Sequence, residues 1–282
     1  MKIGILTLPL HINYGGYLQA FALKSILLEH GNEVYLIENK NLYGNLLKRG
    51  LRQIKDSFSL LLFYLGKKNK EAEFILKEKK ISIFKDNYMC PIVDISNSKT
   101  LNDLDIVIVG SDQVWRPWKG LCRNSLYFFL DFIKSTKTKK ISYAASFGID
   151  KWEYNPVETI QIKKLLQDFS IISVREDDGV SLLQDNLGLP SIRMCDPTLL
   201  LTKNDYLSTL RIHHPDNDRI SSYILDSNSS KDDMLKIVAS FFKNDVLPLG
   251  YSEDNGVSSI NDWVRHLVSS KFLITDSFHG TL

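Results

Sequence analysis

Cysteine is scarce in this chain. Cys90, Cys122 and Cys195 are the only three in 282 residues, far apart and odd in number, and no pair has metal-ligand spacing. That argues against a disulfide framework or a cysteine metal site and predicts reduced thiols. Long apolar runs are missing too. The longest, Leu60 to Leu65, falls far short of the roughly 20 residues that a bilayer-spanning helix needs. The opening Met1-Lys-Ile-Gly-Ile-Leu-Thr7 runs into polar His11 and Asn13 without a small-residue cleavage site, so it does not read as a signal peptide. Together these absences predict a cytoplasmic protein. An excess of one charge is lacking as well. There are 35 basic residues against 33 acidic ones, a net charge of +2, which does not suggest bulk nucleic-acid binding.

What is present is a globular composition, 44% hydrophobic and 24% charged, at a length that suits two domains. Lys2 to Thr7 reads as a buried strand. It is followed by the loop Asn13-Tyr-Gly-Gly16, an amphipathic helix carrying Leu18, Phe21, Ala22, Ile26 and Leu27, and a strand from Glu33 to Glu38. That order is a βαβ unit, whose crossover implies parallel strands. Asn13, Gly15 and Gly16 make either a plain tight turn or a loop that lets backbone come close to a ligand. The G-x-G-x-x-G fingerprint is absent.

Further strands are expected from Asp105 to Gly110, Lys139 to Ala145, Ile171 to Val174 and Ile192 to Cys195, with a helix from Pro156 to Phe169. Strands and helices alternating at this spacing mean a doubly wound α/β domain over 1–202, with a helical insertion at 42–88. Residues 203–220 read as a linker. From 221 to 282 the pattern is again β-α-β-α-β. Its strands run from Tyr223 to Asp226, Val246 to Leu249 and Phe272 to Thr275. One helix is capped by Ser229 with Met234, Leu235, Val238 and Phe241 inward, and another carries Trp263.

Between Leu46 and Lys70 the apolar residues share one helical face, with Lys48, Arg49, Arg52 and Lys55 among them. Such a helix either packs on its own domain or lies on an anionic membrane surface. Glu71 to Asn87 reads as a charged, mostly exposed helix. His213 and His214 adjoin on a loop without a third partner, so they read as polar surface and no metal site is expected.

Candidate chemistry falls at strand ends. Ser111, Asp112 and Gln113 follow a core strand, where open α/β sheets bind ligands. Arg175 follows another; its planar fork suits a carboxylate or a phosphate, unless Glu176, Asp177 or Asp178 engages it as a salt bridge. The last eleven residues, Phe272 to Leu282, read as a strand and then a helix. Asp276 and Ser277 supply N-cap chemistry, and a helix opening at Gly280 presents N–H groups that favour an anion. His279 either adds a proton donor or acceptor near neutral pH or merely caps the helix.

The stretches Val109-Gly-Ser-Asp-Gln-Val-Trp115, Ile141-Ser-Tyr-Ala-Ala-Ser-Phe-Gly148, Ile172-Ser-Val-Arg-Glu176, Asp196-Pro-Thr-Leu-Leu200 and Ile274-Thr-Asp-Ser-Phe-His-Gly-Thr281 occur in this order. Together with the opening to Gly31 they resemble the polysaccharide pyruvyl transferase family, nearly end to end. The resemblance implies two Rossmann-like domains around a cleft, as in the glycosyltransferases of the two-domain B type. It also implies transfer of a pyruvyl group from phosphoenolpyruvate to a sugar, forming a ketal and releasing phosphate.

Set beside that chemistry, the candidates sort by role. His279 is the catalytic acid. Arg175, Ser277, Gly280 and Thr281 bind the donor, and Asn13, Gly15, Gly16, Ser111, Asp112 and Gln113 lie on the acceptor side of the cleft. No cofactor or metal is expected, with phosphoenolpyruvate as co-substrate. The acceptor is a sugar or lipid-linked oligosaccharide, and the helix over 46–70 offers peripheral contact with the inner face of the membrane.

Family members usually continue well beyond the His-Gly motif, whereas three residues follow His279 here. The second domain is therefore expected to be incomplete and its terminal helix unable to form its own hydrogen-bonded ladder. A nucleotide-sugar glycosyltransferase and an inactive truncated remnant are the alternative readings.

Overall fold

The structure, a computed structural model, describes residues 1–10, 13–39, 70–117, 126–213, 219–249 and 258–282. The basic helix expected over 46–70 falls outside these up to residue 69, as do Cys122 and His214. The fold is mixed α/β with parallel sheets. Contacts divide it into two compact units. One is Met1–Leu10, Gly16–Leu46 and Tyr88–Leu200; the other is His11–Gly15, Leu47–Asn87 and Leu201–Leu282. This differs from the contiguous division expected at 202, because the second unit includes 11–15 and 47–87. The physical reason is packing: helix Lys70–Phe84 lies against helix Ile260–Val268, and Tyr14 stacks on Trp263 of that second helix.

The first unit is built on six parallel strands: β1 (Lys2–Leu6), β2 (Glu33–Glu38), β3 (Ile92–Asp94), β4 (Ile106–Val109), β5 (Lys139–Ser142) and β6 (Phe169–Ile171), in the order β3-β2-β1-β4-β5-β6. These strands are rich in Ile and Val because both faces of a parallel sheet are covered. The order reverses between β1 and β4, so that edge is the switch point at which such sheets take ligands. β7 (Ser173–Val174) pairs with β8 (Ile192–Arg193). Isolated bridges join Asp112 to Ala145 and Ala145 to Val174, which carries the pairing past the ends of β4 and β5.

The helix Tyr14–Glu29 follows β1. It is not amphipathic as expected: from Tyr14 to Lys24 every residue is buried. Lys24 is accommodated there because its ammonium donates to Tyr88 O at 2.9 Å and to Cys90 O.

The second unit holds β9 (Arg219–Tyr223), β10 (Val246–Pro248) and β11 (Ser270–Thr275), parallel and in the order β10-β9-β11. The first of these starts and ends earlier than the sequence pattern indicates. The expected linker begins with a helix, Lys203–Thr209, whose capping box pairs Thr202 with Asp205. Leu210 and Ile212 behind it are buried. Helix Ser229–Phe242 is capped by Asn228 and has no buried residue. Met234 and Phe241, expected inward, are exposed, Phe241 to 79%. No described helix is long and apolar enough to cross a membrane.

Candidate active site

In the second unit, β11 delivers the chain to His279. Thr275 Oγ1 donates to Tyr223 O at 2.7 Å and accepts from the Ser277 N–H at 3.0 Å, which turns the chain off the sheet. Ser277 then caps a single helical turn, Phe278–Thr281, with its Oγ accepting from the Gly280 N–H at 3.4 Å. The N–H groups of Thr281 and Leu282 reach Ser277 O at 3.1 Å and Phe278 O at 3.3 Å. The turn therefore opens at Phe278 rather than Gly280, and His279 is its second residue. With the cap two residues ahead of His279, one ladder turn closes after all, contrary to expectation. The Ser277 hydroxyl, the N–H groups of Gly280 and Thr281, and the Thr281 hydroxyl, which donates to Ser277 O, all serve this turn.

Asp276 does not share the capping. Its carboxylate turns back to accept from the Leu225 N–H at 2.7 Å, the Asp226 N–H at 3.3 Å and the Lys231 ammonium at 2.6 Å. The Lys231 hydrogen bond, followed by that of Leu225, holds the Asp276 carboxyl down at about 2. The end of β11 is thus tied to the loop after β9.

Two glycines set the position of the imidazole. A Cβ at Gly280 would lie 2.4 Å from Thr275 Oγ1, so only glycine lets the turn seat against the strand. A Cβ at Gly15 would lie 2.3 Å from both Cγ and Nδ1 of His279 and 2.7 Å from its Cβ. The backbone that opens helix Tyr14–Glu29 therefore rests on the root of the His279 ring. The glycine pair that stands out in the sequence has a defined task at its first member: close approach to an imidazole.

Beside it lies an aromatic cluster. The Tyr14 ring stacks on Trp263, with centroids 5.8 Å apart and planes at 15°, and Tyr223 meets Trp263 edge-on at 5.3 Å. Such pairs each contribute roughly 0.5–1.5 kcal/mol beyond area burial. The Tyr14 hydroxyl donates to Ser258 O at 2.9 Å, and burial pushes its phenol upward. Over the Tyr14 ring sits the Lys77 ammonium, 4.5 Å from the centroid. Burial lowers the Lys77 pKa, with no carboxylate acting against it.

Lys77 is inconspicuous in the sequence because its helix is rich in charge. The signal that could have found it is its spacing. It lies four residues before Ile81 and seven before Phe84, both buried, which places it on the inward stripe.

The first unit holds a second constellation. Arg175 follows β7, and its side chain is 7% exposed. Its Nε donates to Glu176 Oε1 at 2.7 Å and its Nη1 to Asp196 Oδ2 at 3.2 Å. Asp196 Oδ2 also accepts from Ser111 Oγ at 2.9 Å, and its Oδ1 accepts from the Thr198 N–H and hydroxyl at 3.0 and 2.8 Å. Arg175 and Ser111 thus meet on one buried carboxylate. Asp112 and Gln113 stand at the switch-point edge. Asp112 has φ 77°, strained for a residue with a Cβ. Its buried Oδ2 has no hydrogen-bond partner among the described residues. Gln113 packs on Gly148, where a Cβ would lie 2.5 Å from its Cδ. Asn13 is exposed ahead of the helix, and Gly16 O accepts from Gln19 Nε2 at 3.0 Å. The described residues contain no group of three or more His, Cys, Asp or Glu side chains placed to hold a metal.

The sequence family described as polysaccharide pyruvyl transferase matches residues 13–282. No curated protein matches the chain. Among solved structures, an alpha-glucosyltransferase in complex with UDP and a 13-mer DNA is similar at 13% identity and TM-score 0.50, over 97% of this chain and 71% of that one. UDP-GlcNAc 2-epimerase from Methanocaldococcus jannaschii is similar at 12% identity and TM-score 0.45, over 98% of this chain and 79% of that one. At such identity the likeness is one of fold alone, and that fold is glycosyltransferase B-like.

Proposed function

The chain belongs to the polysaccharide pyruvyl transferase family, and from that premise we propose that it moves a pyruvyl group from phosphoenolpyruvate to two hydroxyls of one sugar. The sugar belongs to a cell-surface polysaccharide or its lipid-linked precursor, met at the inner face of the membrane. Family membership by itself makes the chain a transferase-family protein directed at polysaccharides. The finer statement rests on the geometry around His279.

In the proposed reaction the methylene carbon of the donor gains a proton, and the central carbon becomes cationic. A sugar hydroxyl adds there and gives up its proton. The bond from that carbon to the phosphate oxygen then breaks, phosphate departs, and the second hydroxyl closes the ketal with loss of its own proton. His279 is the general acid for the first step, which a positioned acid speeds by about 10²–10⁴. The observation that carries this reading is the Gly15 backbone against the root of the His279 ring, since an acid must be held where the carbon will be. Within the first unit, the buried Oδ2 of Asp112 is suited to accept a hydrogen bond from a hydroxyl. Arg175, already engaged by Glu176 and Asp196, is assigned to holding the Asp196 turn rather than the donor.

His279→Gln keeps hydrogen bonding but does not cycle a proton near neutral pH. Phosphate release in the presence of acceptor should fall at least about 10²-fold while phosphoenolpyruvate affinity holds. Retained turnover with lost affinity would make His279 a binding residue instead. Thermal-shift screening of phosphoenolpyruvate against UDP-sugars separates this donor from the nucleotide-sugar alternative.

A further inference from the structure

We propose that Lys77 is the cation of an anion site in the second unit, where it takes the phosphate or carboxylate of phosphoenolpyruvate on the same backbone turn that seats His279. The proposal deepens the reading above and rests on it for the identity of the donor.

The donor carries two anionic groups, and a site for it needs positive charge that is not already neutralised. Charge-assisted contacts of this kind are the strong ones. In the first unit the Arg175 guanidinium is taken up by two carboxylates. Lys77 differs. Its ammonium is partly withdrawn from water and rests on the Tyr14 ring at 4.5 Å, with no carboxylate partner among the described residues. A half-buried cation left without a counter-ion is costly unless something supplies the negative charge.

Its location narrows what that something is. Tyr14 holds Lys77 through its ring, and the next residue, Gly15, holds His279 through its backbone. One dipeptide thus fixes both a cation and an imidazole. The same cluster contains two further polar atoms, Ser258 Oγ and Trp263 Nε1, which are buried and have no partner among the described residues. Buried polar groups are almost always satisfied, so such atoms call for a water or a ligand. Each of the three, cation, indole N–H and hydroxyl, is a donor of the kind an oxyanion takes, and each lies on a residue that touches Tyr14.

The test is isothermal titration of the full chain with phosphoenolpyruvate and, separately, inorganic phosphate, using the wild type, Lys77→Met and Lys77→Arg. Lys77→Met keeps the apolar stem over Tyr14 and removes the charge. It should weaken both ligands by about tenfold or more while the melting temperature stays within about 2 °C. Lys77→Arg, which keeps the charge, should recover most of the affinity. Unchanged phosphoenolpyruvate affinity in Lys77→Met would overturn the site and leave the proposed donor standing. A loss of affinity that tracks a fall in melting temperature, with no rescue by arginine, would also overturn it and make Lys77 a cover for the aromatic cluster. A wild type that binds inorganic phosphate through Lys77 but not phosphoenolpyruvate would keep the anion site and overturn the donor. Binding of neither ligand by the wild type would overturn both.

Discussion

Arg175 and His279 each lie just past the carboxyl end of a parallel strand, one in each unit, and their surroundings treat charge in opposite ways. Around Arg175 positive charge is matched. The guanidinium faces Glu176 and Asp196, and Asp196 accepts from Ser111 and Thr198 as well. In the second unit Lys77, over the ring of Tyr14 next in sequence to the Gly15 that lies against His279, rests on a ring instead of a carboxylate. Buried Ser258 Oγ and Trp263 Nε1 lack partners among the described residues. A saturated network rigidifies a fold and has little capacity left for a ligand, whereas unmatched groups raise the energy of the empty site and are relieved on binding. The two constellations look alike as residue types in sequence, since both follow a short apolar run with polar residues. They differ in what the rest of the chain brings to them.

The comparison breaks most clearly at Asp196. Asp196→Asn removes one of the two carboxylates from a buried guanidinium, a change that costs about 3–5 kcal/mol when a buried pair loses a partner. We expect the lower end, because Glu176 remains, and we expect it as a drop in melting temperature with donor affinity unchanged. If affinity falls and stability holds, Arg175 belongs to the donor site after all.

Gly15→Ala probes the other side. The added methyl would lie 2.3 Å from Cγ of His279, at the root of the side chain rather than its swinging tip, so the ring has to move. A displacement of about 1 Å in a catalytic group costs on the order of 10²-fold in rate. Turnover should fall by that order, with a smaller effect on melting. Unchanged phosphate release would mean that the position of the imidazole does not matter to the reaction.

The smallest expected effect is on pH dependence. Asp276 has its carboxyl lowered from 3.8 to about 2 by Lys231 and the Leu225 N–H. A depressed acid stabilises the fold above its unfolded value and loses that contribution as pH falls through its folded value. The tie from β11 to the loop after β9 should therefore hold above 3.8 and weaken down to about 2. Melting curves across that interval should slope downward for the wild type, and Asp276→Asn should remove part of the slope. The size is modest because the Asp276 and Lys231 side chains are 22% and 30% exposed and the pair is screened. An identical slope in both would assign the acid sensitivity to other carboxylates.

Much of this protein is legible in its residues alone. Runs such as Ile106 to Val109 and Lys2 to Leu6 mark buried parallel strands because strand pattern is local, and the β-α alternation then leaves few topologies. Residue types also single out Gly15, as either a tight turn or a close approach, and the strand-to-helix turn at His279; that Gly15 lies against the His279 ring is seen only in the structure. Legibility ends where a neighbour distant in sequence decides. The helix Tyr14–Glu29 is buried all round over its first three turns, which its own pattern does not reveal. Helix Lys70–Phe84 joins the second unit through helix Ile260–Val268, so its charge-rich sequence hides an inward lysine.

The sequence by itself determined most of the strands, though not Ile92–Asp94 or the bounds of Arg219–Tyr223, together with the α/β class and the chemical types gathered at the strand ends. Only the tertiary structure decided which charges are neutralised. Ser111 and Asp196 are 85 residues apart, Gly15 meets His279 across most of the chain, and Lys77 meets Tyr14 only because both belong to the second unit. Backbone periodicity is set by forces that act within a few residues. The partner of a buried charge is set by which distant segments the closed core brings within a few ångströms, where the local dielectric makes that choice energetically large.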